Sequence, residues 1–117
     1  MKRILVVDDE ENIRMLYQEE LQEEGYEVTA ASNGNEALNV LSKEGPFDLV
    51  TLDIRMPGMD GINTVRAIKE KYQGLAVVLV TAYGEYKQDF STWASDAYIV
   101  KSADLTELKA TIKRIIG

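Results

Sequence analysis

Five polar residues stand where runs of apolar residues end. Asp8 and Asp9 follow Ile4 to Val7, Asp53 follows Leu49 to Leu52, Thr81 follows Ala76 to Val80, and Lys101 follows Ala97 to Val100. The chain has no histidine and no cysteine, which removes His-dependent triads, thiolate nucleophiles and the usual zinc sites. Any transfer chemistry must rest on carboxylates, hydroxyls, lysine or a hard metal ion. Three carboxylates drawn together raise one another's pKa or demand a cation. Oxygen ligands suit a hard ion, and Mg²⁺ is the expected one. Lys101 adds a point charge suited to phosphate, and Thr81 adds a hydroxyl donor. Cation, ammonium and hydroxyl around one carboxylate supply what phosphoryl transfer needs, which is charge neutralisation and positioning. Asp53 stands alone at the end of its run, and carboxylates act as covalent nucleophiles that form aspartyl phosphates. The paired acids are better suited to hold the metal.

Each of these residues has an ordinary explanation when taken singly. Adjacent acids before a helix serve as an N-cap and a favourable macrodipole charge. An aspartate ahead of Met56-Pro57-Gly58 is common turn chemistry. A strand-end threonine is usually structural and a strand-end lysine usually solvated. The functional reading rests on their conjunction, because all of them must converge on one rim.

The elements that bring about that convergence follow from apolar periodicity. Ile4–Val7 reads as a buried parallel strand. Glu10–Glu24 carries Ile13, Leu16, Tyr17 and Leu21 at helical spacing and is closed by Gly25. Tyr26–Ala31 is a less apolar strand expected at an edge. Asn33-Gly34-Asn35-Glu36 predicts a cap with a returning glutamate, opening a helix with Ala37, Leu38 and Leu41 that Gly45-Pro46 ends. Asp48–Asp53 is the third strand. Asp60 is expected to cap a helix bearing Ile62, Val65, Ile68 and Tyr72. Ala76–Val80 is the fourth strand. Glu85–Trp93 reads as a fourth helix with Tyr86, Phe90 and Trp93 on one face, although Ser91 and Thr92 are poor helix formers. Ala97–Val100 is the fifth strand. Asp104-Leu105-Thr106-Glu107 predicts a second capping box before a helix with Leu105, Leu108, Ile112 and Ile115.

Strict alternation with short links predicts an α/β fold with a parallel sheet covered on both faces. Five units are too few for an eight-stranded barrel. The expected solution is a flavodoxin-like, doubly wound (βα)5 sandwich with strand order 2-1-3-4-5, whose ligands bind at the carboxyl ends of the strands near the switch point.

A length of 117 residues fits one domain, 1–117. The formal net charge of -7 argues against nucleic acid or an anionic membrane as a direct partner. Met1-Lys2-Arg3 leads into only four apolar residues before acids appear, unlike a signal peptide. No apolar run approaches membrane-spanning length. A cytoplasmic location is expected.

The segments ILVVDDE (Ile4 to Glu10), LVTLDIRMPGMDG (Leu49 to Gly61), VVLVTAYG (Val77 to Gly84) and YIVKS (Tyr98 to Ser102) resemble the receiver domain of two-component response regulators, over essentially the whole chain. The resemblance implies a phosphoprotein of two-component phosphorelay signal transduction that takes a phosphoryl group from a histidine kinase. It implies that Asp53 is the phosphoacceptor, that Asp8, Asp9 and Asp53 bind Mg²⁺ with the backbone carbonyl of Arg55, and that Thr81 and Lys101 contact the phosphoryl group. It also implies a switch in which Thr81 moves toward the phosphate and Tyr98 turns inward. On this reading the protein is a signalling module rather than an enzyme, one that assists its own phosphorylation and dephosphorylation. Its further partners would be a downstream target or an output domain, or a second copy through the face of the fourth helix, fifth strand and fifth helix. Residues that choose a kinase are expected on the first helix around Asn12 to Tyr17.

Two departures stand out. The family usually has Lys-Pro at the lysine, often with a cis bond, whereas Ser102 follows Lys101 here, and a cis bond before a non-proline costs about 2.5–4 kcal/mol. The region Tyr86 to Ala94 is richer in aromatics than is usual, and Phe90 and Trp93, if exposed, would mark a partner or dimer surface. The alternative is a degenerate receiver that binds partners without phosphorylation; Ser102 is its only support. An aspartate-nucleophile phosphatase would need a second acid where Arg55 stands. A flavin carrier would need a hydroxyl- and glycine-rich phosphate loop in place of Asp8-Asp9-Glu10.

Overall fold

The computed structural model describes residues 1–53, 61–81, 96–101 and 104–117, apart from the side chains of residues 61, 62 and 81. Arg55, the Met56-Pro57-Gly58 turn, the Asp60 cap, the expected fourth helix with Tyr86, Phe90 and Trp93, and Ser102 lie outside the described residues.

The elements run β1 (Arg3–Val7), α1 (Glu11–Glu23), β2 (Glu27–Ala31), α2 (Gly34–Glu44), β3 (Leu49–Asp53), α3 (Gly61–Lys71), β4 (Ala76–Thr81), β5 (Ala97–Val100) and α4 (Thr106–Ile116). The strands form one parallel sheet in the order β2-β1-β3-β4-β5, as the alternation predicts. All five residues of β3 are buried, which is what a central parallel strand requires, being covered on both faces.

Side chains alternate between two apolar layers, following the two-residue period of a strand. Leu5, Val7, Val50, Leu52, Val77 and Leu79 pack with Ala37 and Leu41 of α2 and with Val65 and Ile68 of α3. Ile4, Val6, Leu49, Val78 and Val80 pack on the other side with Tyr17 and Leu21 of α1 and with Leu108 and Ile112 of α4. The chain leaves β1 outward to β2 and returns to β3 on the other side of β1. The carboxyl ends of β1 and β3 therefore flank the switch point of the sheet. The register pairs Val7 with Leu52, Asp53 with Val80 and Thr81 with Val100, so the polar strand ends arrive at one level.

The opposite end of the sheet is fastened by Arg3. Its backbone N–H donates to Asp48 Oδ2 at 2.7 Å and its Nε to Glu27 Oε2 at 2.7 Å. Its Nη1 donates to the carbonyls of Glu44 and Pro46 at 2.6 and 2.8 Å, and the guanidinium lies 4.3 Å from the centre of the Phe47 ring.

Helix ends show where local signals hold and where they do not. Gly25 has φ +96° and ends the α1 region, its N–H donating to Gln22 O at 3.0 Å. Asn33 caps α2, its side chain accepting from Glu36 N at 2.8 Å. The Glu36 carboxylate does not close a capping box; it accepts from the Ser32 hydroxyl at 2.9 Å. The expected box at Asp104 is also corrected. Asp104 Oδ1 accepts from Thr106 N at 2.9 Å and from Thr106 Oγ1 at 2.6 Å, so the N-cap position falls on Leu105. Aspartate can bond its own chain two residues on as readily as three, and here the tighter turn wins. Among the described residues no helix is long and apolar enough to cross a membrane.

Candidate functional site

The carboxyl ends of β1 and β3 place Asp8, Asp9 and Asp53 together. One carboxylate oxygen from each lies within 4.8 Å of the others. Asp8 and Asp53 are 3% and 5% exposed, while Asp9 faces solvent. β3 carries Asp53 at the sheet centre, and the turn from β1 into α1 holds Asp8. Asp8 Oδ1 accepts from the Glu10 backbone N–H at 2.9 Å, and the Asp8 carbonyl accepts from Arg14 Nη1 at 2.7 Å. Asp8 N–H donates to Ala31 O at 3.2 Å, which ties the strand end to β2.

Lys101, the residue after β5, reaches across to these acids. Its Nζ lies 2.8 Å from Asp8 Oδ2, 3.1 Å from Asp53 Oδ2 and 3.6 Å from Glu10 Oε2. Burial works against the lysine's charge, but the hydrogen bonds and Coulomb attraction of Asp8 and Asp53 outweigh it and raise the Lys101 pKa above the ordinary lysine value. The ammonium is therefore fixed in its charged form. One ammonium, paired with Asp8 and Asp53, leaves negative charge over in the Asp8–Asp9–Asp53 cluster, and the donor set consists of oxygens. Such a set fits a hard divalent ion of the Mg²⁺ kind, which takes one or two carboxylates and keeps several waters.

Thr81 ends β4 beside Val100, and its hydroxyl lies outside the described residues. Tyr98 pairs with Leu79. It is half-buried and packs on the layer formed with α2 and α3.

Two contributors were not singled out by residue type. The Glu10 amide and Arg14 both act on Asp8, and both could have been found from chain geometry. An aspartate readily accepts from the amide two residues on, and a residue in the first turn of α1 lies above the loop that leads into it. Tyr17 stands both in the helical apolar spacing and in the stretch expected to choose a kinase; the first expectation holds and the second is corrected, because Tyr17 is buried, 3% exposed, on the core side of α1 with Leu21. Asn12 and Met15 are the exposed residues of that stretch, Met15 at 58%. Burial pushes the Tyr17 phenol up to about 12; Lys101 opposes the rise, and Asp8 and Asp53 add to it.

The family profile described as "Response regulator receiver domain" matches residues 4–113. Sporulation initiation phosphotransferase F of Bacillus subtilis is 37% identical over 117 residues, covering 98% of this chain and 94% of that protein. The regulatory protein AtoC of Escherichia coli is 36% identical, but the match covers 25% of its length. The transcriptional regulatory protein ResD of B. subtilis is 39% identical over 48% of its length. Among solved structures, response regulator TrrA of Thermotoga maritima in complex with Mg²⁺-BeF is 52% identical, with a TM-score of 0.92 over 98% of this chain and 99% of that one. A chain from the complex of histidine kinase ThkA with TrrA is 51% identical, with a TM-score of 0.90 over the full length of both chains.

Proposed function

Because the chain belongs to the response-regulator receiver family, we propose that Asp53 accepts a phosphoryl group from the phosphohistidine of a histidine kinase and that this changes which partner the domain binds. The observation that carries the reading is the setting of Asp53. It is buried at the end of the central strand, its Oδ2 bonded to Lys101, with Asp8 and Asp9 within ligand reach. TrrA, similar over nearly the whole chain, is described in complex with a histidine kinase and with Mg²⁺-BeF.

On this reading a carboxylate oxygen of Asp53 bonds to phosphorus as the P–N bond of the donor breaks. The electron pair stays on the imidazole nitrogen, which takes its proton from water. Asp8, Asp9, Asp53 and the Arg55 carbonyl would hold Mg²⁺, which when bound neutralises charge on the phosphoryl oxygens. Lys101 meets an oxygen of the transferred group, and Thr81 donates to another. The acyl phosphate adds charge and acceptors at the rim, and Tyr98 follows Thr81 into the space it leaves. A partner that prefers that arrangement shifts the population toward it, by no more than its differential affinity. That partner is a downstream protein, an output domain, or a second copy through the face that includes β5, where Val100 is 42% exposed. Exchange with a histidine kinase's phosphorylated domain implies a cytoplasmic location.

Incubation with phosphoramidate and Mg²⁺ tests this by intact-mass spectrometry. The wild type should gain the mass of one phosphoryl group, and Asp53→Asn should not. An unmodified wild type, or equal labelling of Asp53→Asn, rejects the assignment. Phosphotransfer from a panel of histidine kinases then identifies the donor.

A further inference from the structure

Glu10 stands at the outer edge of the acid cluster, and its side chain carries no structural load. It is the N-cap residue of α1, yet that side chain makes no capping hydrogen bond. The cap works through the backbone, Glu10 O accepting from Ile13 N and Arg14 N at 3.1 Å each. The carboxylate is 62% exposed and lies 3.6 Å from Lys101 Nζ.

An ammonium has three hydrogens, and three carboxylates surround this one. They are not equivalent. Asp8 is held at 2.8 Å, is buried, and has its other oxygen fixed by the Glu10 amide. Asp53 is held at 3.1 Å and is the group to be modified. Glu10 is the longest and most hydrated contact, and exposed ion pairs contribute little. A phosphoryl group on Asp53 brings new acceptor oxygens that must claim part of Lys101. The Glu10 contact is the one that can be given up without stranding a buried charge.

Resting on the phosphoacceptor reading above, we propose that Glu10 is a positioning and specificity-determining residue for phosphoryl capture. It holds the outermost of the three contacts to Lys101, gives that contact up to the incoming phosphoryl group, and by its charge discriminates against the more anionic small-molecule donors. Glu11, next along and also exposed, has the same charge but makes no ion pair with Lys101 among those found in the described residues, so it serves as a charge-matched control.

The test compares wild type, Glu10→Gln and Glu11→Gln, each with Mg²⁺, for the rate of labelling by acetyl phosphate, a dianion, and by phosphoramidate, which carries less negative charge. Glu10→Gln should raise the acetyl phosphate rate about 3- to 10-fold at low ionic strength, the size expected for one charge near a dianion in a water-like medium. It should raise the phosphoramidate rate by less, and the difference should close toward molar salt, where screening acts within about 3 Å. Glu11→Gln should leave the ratio between donors near its wild-type value. A Glu10→Gln donor ratio that does not change, or that changes equally in Glu11→Gln, overturns the inference while leaving Asp53 as acceptor. A wild type that takes no label from either donor overturns the parent reading and this one with it.

Discussion

Replacing Lys101 with methionine keeps most of the apolar stem and removes the ammonium from between two nearly buried carboxylates. Asp8 and Asp53 side chains are 4% and 7% exposed, and their Oδ2 atoms lie 2.8 and 3.1 Å from Nζ. Without the lysine these acids face each other with ligand atoms within 4.8 Å. Two like charges at that range repel by about 3–4 kcal/mol at an effective dielectric of 20. Breaking a buried pair by removing one partner costs about 3–5 kcal/mol. The site opens to solvent at Asp9 and Lys101 is 16% exposed, so the lower end of that range applies, about 3 kcal/mol. At about 4 °C per kcal/mol for a domain of this size, Lys101→Met should lower the melting temperature by about 12 °C in EDTA, followed by far-UV circular dichroism. A divalent ion at a hundred times its Kd adds about 2.7 kcal/mol to a folded state that binds it. Lys101 competes for the same oxygens, so the variant should gain more than the wild type. At one shared Mg²⁺ concentration the gap should therefore narrow by about 1.4 kcal/mol for each tenfold by which the variant binds Mg²⁺ more tightly. A variant that melts within about 3 °C of wild type in EDTA would falsify the claim that Lys101 compensates these acids. A gap that Mg²⁺ leaves unchanged would refute the shared-oxygen argument.

Two further outcomes follow from the same geometry. Tyr17 has a folded-state pKa of about 12, above the ordinary phenol value of 10.0. The folded protein thus holds this proton more tightly, and the associated stability is complete below pH 10 and lost as pH rises toward 12. Lys101, also raised, loses its contribution in the same direction, above the ordinary lysine range. In a phenolate absorbance titration Tyr17 should ionise late, and the late component should vanish in Tyr17→Phe; all tyrosines titrating together would contradict its burial. Asn33→Ala removes the bond to Glu36 N and should lower stability in urea by about 1 kcal/mol with an unchanged m-value; no change would mean that water replaces the cap freely.

The sheet was legible because its code is redundant. Leu5 and Val7 face one layer and Ile4 and Val6 the other, a two-sided apolar run that only a covered parallel strand explains. The strand order then leaves little choice about where Asp8, Asp53 and Lys101 meet. What escaped the sequence is contact with backbone. The Glu10 amide and the Asp8 carbonyl have no residue type, so only the general geometry of an aspartate ahead of a helix, and not any letter, points to Asp8 being held by one and Arg14 gripping the other. Tyr17 is ambiguous for another reason: a phenol suits either a half-exposed helix face or the core, and only the packing of α1 against β1 decides. Asp104 shows the same limit in a cap, where bonding two or three residues on depends on backbone angles that Thr106 and Leu105 settle together.

On the proposed function, the position of Lys101 offers a route by which phosphorylation at the rim would be felt elsewhere. It is bound to two acids from two strands, and it is attached directly to β5, whose side chains divide between the layers. Ile99 packs with α1 and α4, and Tyr98 packs with α2 and α3. A change in which oxygen the ammonium holds that exceeds what the flexible lysine stem takes up would pull on the backbone at Val100, beside residues of both layers. β5 pairs only with β4 among the described strands, so it has fewer ladder bonds to resist displacement than β1 or β3. A central strand in the same role would be clamped on both sides and would transmit little. Asp53 thus stands on a fully buried central strand, and Lys101 is attached to a strand paired on one side among the described strands. If Asp53 takes the phosphoryl group as proposed, that division would let a local change in charge bias the outer surface without disturbing the core that positions Asp53.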